Sequence, residues 1–313
     1  MGRQDGRYHQ GMSFFAVLFA LLAEQLKPLS NLNPIHHALA AWVRWAGRNF
    51  DAGADVHARV VWVITVLAPS ALLALAYVFI NRYSTVLALV FNVAVLYLTL
   101  GFRQFSHHFT EIRDALDAGE EAQAREALAR WLHGDASSLP RHELVRHVIE
   151  CSAISAHRHV FGVMTWFSLL AVLGLGPAGA ILYRLSSDVQ RWWGSEPGAQ
   201  AAGLAQSELA LGAWAERAWK VIDWLPARCT AITFAIVGNF EEAIDCWRHH
   251  AQSFPDDNDG VVLAASIPVP SVWASTRMVR GPVIVVPAVM PLCRYTPPPT
   301  GASTLPSLNW VRT

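Results

Sequence analysis

VVWVITVLAPSALLALAYVFI, Val60–Ile80, decides the fold: 21 residues without a charge, set between Arg59 and Arg82. A helix needs about 20 apolar residues to cross the hydrocarbon core of a bilayer. A helix in a soluble core seldom stays uncharged for so long, so this stretch reads as a transmembrane span. Ser84–Gly101 follows the short turn Asn81–Tyr83 with 18 more uncharged residues. Val160–Tyr183 is a third run, of 24, closed by Arg184. Phe14–Leu26 is shorter and meets Glu24; no A-x-A cleavage site follows, so it reads as an uncleaved first span. The codon of Met12 is a candidate start, because Met1–Gly11 is polar and adds nothing to a span. The expected fold class is all-α, a polytopic helical membrane protein with four or five membrane-embedded helices.

Composition agrees with this. The chain is 53% hydrophobic and 15% charged, against about 25% charged in soluble domains. Its formal net charge is zero, so it has no basic footprint for nucleic acid. Cys151, Cys229, Cys246 and Cys293 lie far apart without a CxxC, and neither a disulfide framework nor a zinc site is expected. Histidines occur as His36/His37, His107/His108, His249/His250 and His157/His159. Neighbouring or alternate positions on a helix point to different faces. Metal sites on helices use three- or four-residue spacing, so no metal ligand is expected. There is no phosphate loop, nucleophile elbow or dinucleotide fingerprint.

Two connections carry the arginines. Lys27–Arg59 contains Arg44, Arg48 and Arg59, and Phe102–His159 contains seven arginines. The span hairpin puts both on one side, which the positive-inside rule makes cytoplasmic. The second connection reads as a small helical bundle, about residues 102–159. Phe102, Phe105, Phe109, Ile112 and Leu116 form one apolar stripe at helical spacing. Gly119 ends that helix, Glu120–His133 forms the next, and Ser138, Pro140 and Glu143 open a third.

Ile222–Val237 is a further membrane candidate, but Asp223 and Arg228 sit inside it and Pro226 interrupts it. It reads as a re-entrant or broken helix at the interface, with Trp192, Trp193, Trp214, Trp219 and Trp224 placing it in the headgroup zone. Arg228 is expected to pair with the backbone or a carboxylate, with Asp223 and Glu150 the candidate acids, because an unpaired guanidinium near hydrocarbon is costly. Ten of 17 prolines fall in the last 63 residues. Residues 266–313 therefore read as a Pro-rich, disordered tail, separate from a membrane domain over residues 1–265.

Val221–Ala231, VIDWLPARCTA, resembles the P-A-R-L-T-A motif of the CobD/CbiB family. Gly176–Arg184, GPAGAILYR, resembles that family's P-G-A-x-x-Y-R. Glu150, Ala153, Val160 and Trp166 fall in register with its long V-E-S-V-A-E-N-T-S-D-G-V-V-A-P-L-F-W segment. Asn258, Gly260, Ala264 and Ala265 match its P-N-A-G-x-P-x-A-A. The resemblance spans roughly Ser13–Ala265 and stops there, as a shifted reading frame in the coding DNA would make it.

The resemblance implies a membrane protein of cobalamin biosynthesis. Such proteins join an aminopropanol phosphate to cobyric acid at the expense of ATP, giving adenosylcobinamide phosphate. That reaction implies ATP and a magnesium site of carboxylates and amides. This chain departs from the pattern there. The family's E-N-x-x-D-G falls on Ile154, Ser155, Arg158 and His159, and its D-D-x-x-N on Trp219, Lys220 and Asp223. Its late Glu falls on Leu263. The related AmpE proteins, inner-membrane proteins associated with signalling of cell-wall state, carry D-W-x-P-x-R, which Asp223, Trp224, Pro226 and Arg228 reproduce. Two functions follow as expectations. The first is a non-synthase, AmpE-like sensor or accessory protein of the inner membrane, without a cofactor, meeting a small molecule or protein at its cytoplasmic face. The alternative is an adenosylcobinamide-phosphate synthase with altered site residues. Candidate ligand or structural residues are Glu150, Tyr183, Arg184, Asp223, Trp224, Arg228 and Asn258; no catalytic residue is assigned.

Overall fold

A computed structural model describes residues 15–24, 26, 34–49, 55–100, 102–132, 139–194, 206–237 and 257–266. Among the described residues all regular structure is helical. The helices are α1 (Phe15–Glu24), α2 (Pro34–Asn49), α3 (Asp55–Tyr83), α4 (Thr85–Thr99), α5 (Phe102–Asp117), α6 (Glu121–Leu132) and α7 (Arg141–Ala156). A π-helical turn, His157–Phe161, leads into α8 (Gly162–Val172), followed by α9 (Ala178–Trp193), α10 (Gln206–Val237) and α11 (Asp257–Ser266). The shifted-frame reading and the Pro-rich tail beyond Ser266 lie outside the described residues, as do Met1–Gly11.

The deciding stretch is one helix. Within α3, the most apolar 18-residue window of His57–Tyr83 has a mean hydropathy of 2.4, and only 28% of that window is buried. A helix in a soluble core would be mostly covered. Leu72, Leu75 and Phe79 instead face outward, 63–69% exposed. Among the described residues this is the one helix long and apolar enough to cross a bilayer. The 15 residues of α4 rise only about 22 Å, short of a core of about 30 Å.

Two sequence expectations fail here, each for a local reason. The 24-residue run Val160–Tyr183 is a helical hairpin, not one span. Gly174 and Gly176 take φ of 76° and 59°, and Pro177, with no N–H to continue a helix, precedes α9. The run carries no charge, so a hydropathy reading misses the turn. Ile222–Val237, expected to be broken, belongs to the continuous 32-residue α10. Pro226 deprives the Ile222 carbonyl of its helical donor, and the Trp166 indole N–H donates to that carbonyl at 3.0 Å. The same device recurs in α3, where Pro69 frees the Thr65 carbonyl and Trp42 Nε1 donates to it at 3.2 Å.

Helix α9 is the centre of the molecule and is buried on two faces. Ala180 and Tyr183 join Ala16, Ala20, Leu96, Val163, Phe167 and Trp219 in one core. Ile181, Leu185 and Val189 join Val43, Trp62, Val66, Val95 and Ala215 in another. Most of the expected interfacial tryptophans pack here: Trp219 is buried, and Trp192, Trp193 and Trp214 line the second core. Trp224 alone of the five is half exposed. Gly162 and Gly179 let α8 and α9 meet closely, since a Cβ at either would strike the Tyr183 ring or the Trp166 backbone.

The expected bundle is α5–α7. Ile112, Ala115, Ala124, Leu128, Leu132, Leu144 and Val148 form its core, with Phe109 and Leu116 packed against it. Gly119, at φ 78°, turns the chain out of α5, and Pro140 caps α7. Cys151 is disulfide-bonded, against the sequence expectation.

Candidate functional site

The π-turn aims consecutive side chains at α9, α10 and α11. Such insertions recur at functional positions because one extra residue rotates the side chains that follow. His157 is wholly buried between α9 and α10. Its Nδ1 lies 2.8 Å from Thr230 Oγ1, and its Nε2 lies 2.9 Å from Asp223 Oδ1. Thr230 Oγ1 also lies 2.9 Å from the Pro226 carbonyl, to which its hydroxyl can donate. Asp223 Oδ1 also accepts from the Tyr183 hydroxyl at 2.8 Å. Asp223, Tyr183 and Thr230 are all fully buried.

A second pair closes the site from α11. Arg158 Nη2 donates to Asp259 Oδ2 at 2.6 Å, and the guanidinium lies 5.8 Å from the Trp219 ring centre. Asn258 Nδ2 donates to the Lys220 carbonyl at 2.9 Å, which fixes α11 along α10.

The sequence candidates divide. Tyr183 and Asp223 meet directly, and Arg228, Trp224 and Asn258 form one group. Arg228 lies over the Trp224 ring at 4.1 Å. Its Nη1 donates to the Trp224 carbonyl at 2.9 Å and to Asn258 Oδ1 at 3.3 Å. The backbone partner was expected; the two candidate acids were not the answer, since Asp223 is taken by His157. Glu150 lies apart on α7, accepting from Arg146 Nε at 2.8 Å with His147 3.6 Å away. Burial works against its charge, yet His147 and Arg146 outweigh burial and hold its pKa below the ordinary carboxylate value. Arg184 is buried on α9, 3.9 Å from Asp188.

Thr230 and Asp259 were not singled out by the sequence, and His157 was weighed only as a metal ligand. A signal for one pair was present. In the register of the resemblance, Arg158 occupies an acidic position and Asp259 occupies the Ala of P-N-A-G. In that register the contact pairs a cation with an acid where the family pattern has an acid and an alanine.

A magnesium and nucleotide site requires carboxylates free to face the ion. Asp223 faces His157 and Asp259 faces Arg158, both groups of the chain itself. Among the described residues no three His, Cys, Asp or Glu side chains converge as a metal cage. Asp223 Oδ2 and Asp259 Oδ1 are buried without a hydrogen-bond partner.

Fold and site together define a protein that is helical throughout its described residues, with an outward apolar helix and a buried network of charged and polar side chains. Residues 14–269 match the family described as CobD/Cbib protein. The chain belongs to the CobD/CbiB family. It is 32% identical over 179 residues to "Cobalamin biosynthesis protein CobD" of Chromobacterium violaceum, covering 57% of this chain and 53% of that protein. It thus spans about half the length of that relative. It is 29% identical over 260 residues to the protein of the same name in Stutzerimonas stutzeri, covering 80% of this chain and 78% of the relative. The Leptospira interrogans protein of that name is 25% identical over 243 residues, with 76% and 72% covered. No solved structure matches.

Proposed function

We propose that this chain is a multi-pass protein of the bacterial inner membrane that has left the synthase reaction and serves as an AmpE-like sensor or accessory protein. The observation that carries the reading is the buried ion pair of Arg158 and Asp259, held at 2.6 Å. A phosphate-activating ligase needs acids that recruit magnesium, and here the acids are neutralised by the protein. The D-W-x-P-x-R residues support the AmpE branch, with Asp223 in the buried network and Arg228 on Trp224. The family match supports a place among cobalamin-biosynthesis proteins at the coarser level. Under this reading no ATP or magnesium is used, and a small molecule or protein meets the cytoplasmic face.

The second reading, an adenosylcobinamide-phosphate synthase with altered residues, is favoured by the names of the relatives. Complementation separates the two. In a strain lacking its own synthase, the chain is expected to leave cobinamide-phosphate synthesis unrestored while accumulating in membranes. Restored growth on cobyric acid would establish the second reading.

The multi-pass topology rests on the outward face of α3, continued by Val86, Leu87 and Val90 on α4, and on the arginines of Phe102–His159. Reporters fused at Ala118 are expected to be active in the cytoplasm. Activity confined to the periplasm would invert the arrangement.

A further inference from the structure

The turn between α8 and α9 is built for a place without water. Its first donors are met by the end of α8: Gly174 N–H donates to the Ala171 carbonyl at 3.0 Å, and Leu175 N–H to the Leu170 carbonyl at 2.9 Å. Ala180 N–H donates to the Pro177 carbonyl at 3.1 Å, and Pro177 itself has no N–H to satisfy. Gly176 lies against the Tyr77 ring, which a Cβ would approach to 2.4 Å. Hydrocarbon offers no hydrogen bonds, so a chain turns at membrane depth only where its backbone groups are met internally or covered by protein.

The side chains at the turn agree. Val172 and Leu173 are 69% and 67% exposed, and Leu169 is 41% exposed. No charge occurs between Val160 and Tyr183. Tyr77, which covers Gly176, sits in α3 between the outward Leu75 and Phe79. The turn therefore continues the apolar face of α3. An exposed apolar patch of this kind calls for an apolar partner, and continuity with α3 makes that partner the interior of the bilayer.

The two arms are too short to cross it. Helix α8 has 11 residues and α9 has 16, rises of about 16 and 24 Å against a core of about 30 Å. They also begin and end on one side. Helix α8 continues α7 of the bundle through the π-turn. Helix α9 ends at Trp193, which packs on Ala58 and Val61 near the start of α3. The turn meets α3 near its other end, at Tyr77.

We propose that α8 and α9 form a re-entrant hairpin, which enters the bilayer from the side of the α5–α7 bundle, lays Leu169, Val172 and Leu173 among lipid acyl chains and returns to the side it left. The inference rests on the reading of α3 as a span and extends it. Glu216, Arg217 and Lys220 of α10 then lie on the bundle's side; Val160–Tyr183 as one span would put them opposite.

The test places single cysteines in the full chain. A membrane-impermeant maleimide is added to right-side-out spheroplasts before and after the membrane is opened. The wild-type chain, whose free Cys229 is partly buried, gives the background. Ala118→Cys on the bundle and Arg217→Cys on α10, both at exposed positions, are expected to behave alike and to react only in opened membranes. Tyr83→Cys, at the far end of α3, is expected to react in closed spheroplasts. In the lipid-reconstituted chain, a spin label at Leu173→Cys should collide severalfold more often with oxygen than with a water-soluble nickel chelate, and one at Arg217→Cys should show the reverse. Val172→Cys serves if Leu173→Cys does not fold. Reaction of residues 118 and 217 from opposite sides overturns the hairpin and leaves the α3 span standing. Reaction of residues 83 and 118 from one side overturns the span instead. Nickel reaching residue 173 as readily as oxygen does overturns the hairpin whichever way α3 lies.

Discussion

Asp223→Ala is expected to cost about 3–5 kcal/mol of stability, the range for removing one partner of a buried ion pair. Asp223 is fully buried, and its Oδ1 receives both His157 and Tyr183. Removing it leaves an imidazole nitrogen and a phenol hydroxyl with nothing to face. The Tyr183 ring cannot swing away, because it is packed on Gly162 and Trp219. Tyr183→Phe removes one hydrogen bond and keeps the packing, so its cost should be nearer 1–2 kcal/mol. Denaturant unfolding of the detergent-solubilised chain, followed by helical circular dichroism, reads both. A loss below about 1 kcal/mol for Asp223→Ala would mean that the network does not hold α9 and α10 together.

Arg158→Asp is expected to be comparably damaging, about 3–5 kcal/mol, and to be rescued in part by Asp259→Ala. The single change sets two buried acids against each other. The double change restores the acid at residue 158 and the Ala at residue 259 that the family pattern has. A scaffold that keeps Gly176, Pro177, Tyr183, Arg184, Pro226 and Arg228 should accept that older arrangement. Recovery of at least about 1 kcal/mol relative to Arg158→Asp is the expected coupling. If the two changes simply add, Arg158 and Asp259 are not a coupled pair.

Much of the fold was legible because it is local. Val60–Ile80 has the length and polarity of one helix. Gly119 and Pro140 mark ends of the bundle helices, and Ile112 with Leu116 marks their inner face. The remainder depends on contacts that sequence windows do not contain. A proline ends a helix unless something satisfies the carbonyl it frees, and the donor for Ile222 is Trp166, 56 residues earlier. The turn at Gly174–Pro177 hides inside an apolar run, where counting charges sees nothing. A π-turn shifts the helical period by one residue, which left His157 unassigned although its partner Asp223 is 66 residues away. Of the site candidates, Tyr183 and Asp223 were found through the resemblance. Glu150 was in register with the same family segment, yet it serves α7 with Arg146. Register transfers position, and the partner at that position must still be read from the fold.

Under the proposed function the acids of this site are neutralised by the chain, recruit no magnesium and activate no carboxylate. The most direct measurement incubates the purified, lipid-reconstituted chain with cobyric acid, aminopropanol phosphate, ATP and magnesium, and follows the amide product by mass spectrometry beside a proven synthase of the family. Product is expected at the level of the protein-free control while the synthase converts its substrates. Product that accumulates with the chain and disappears when magnesium is chelated would contradict the proposed function.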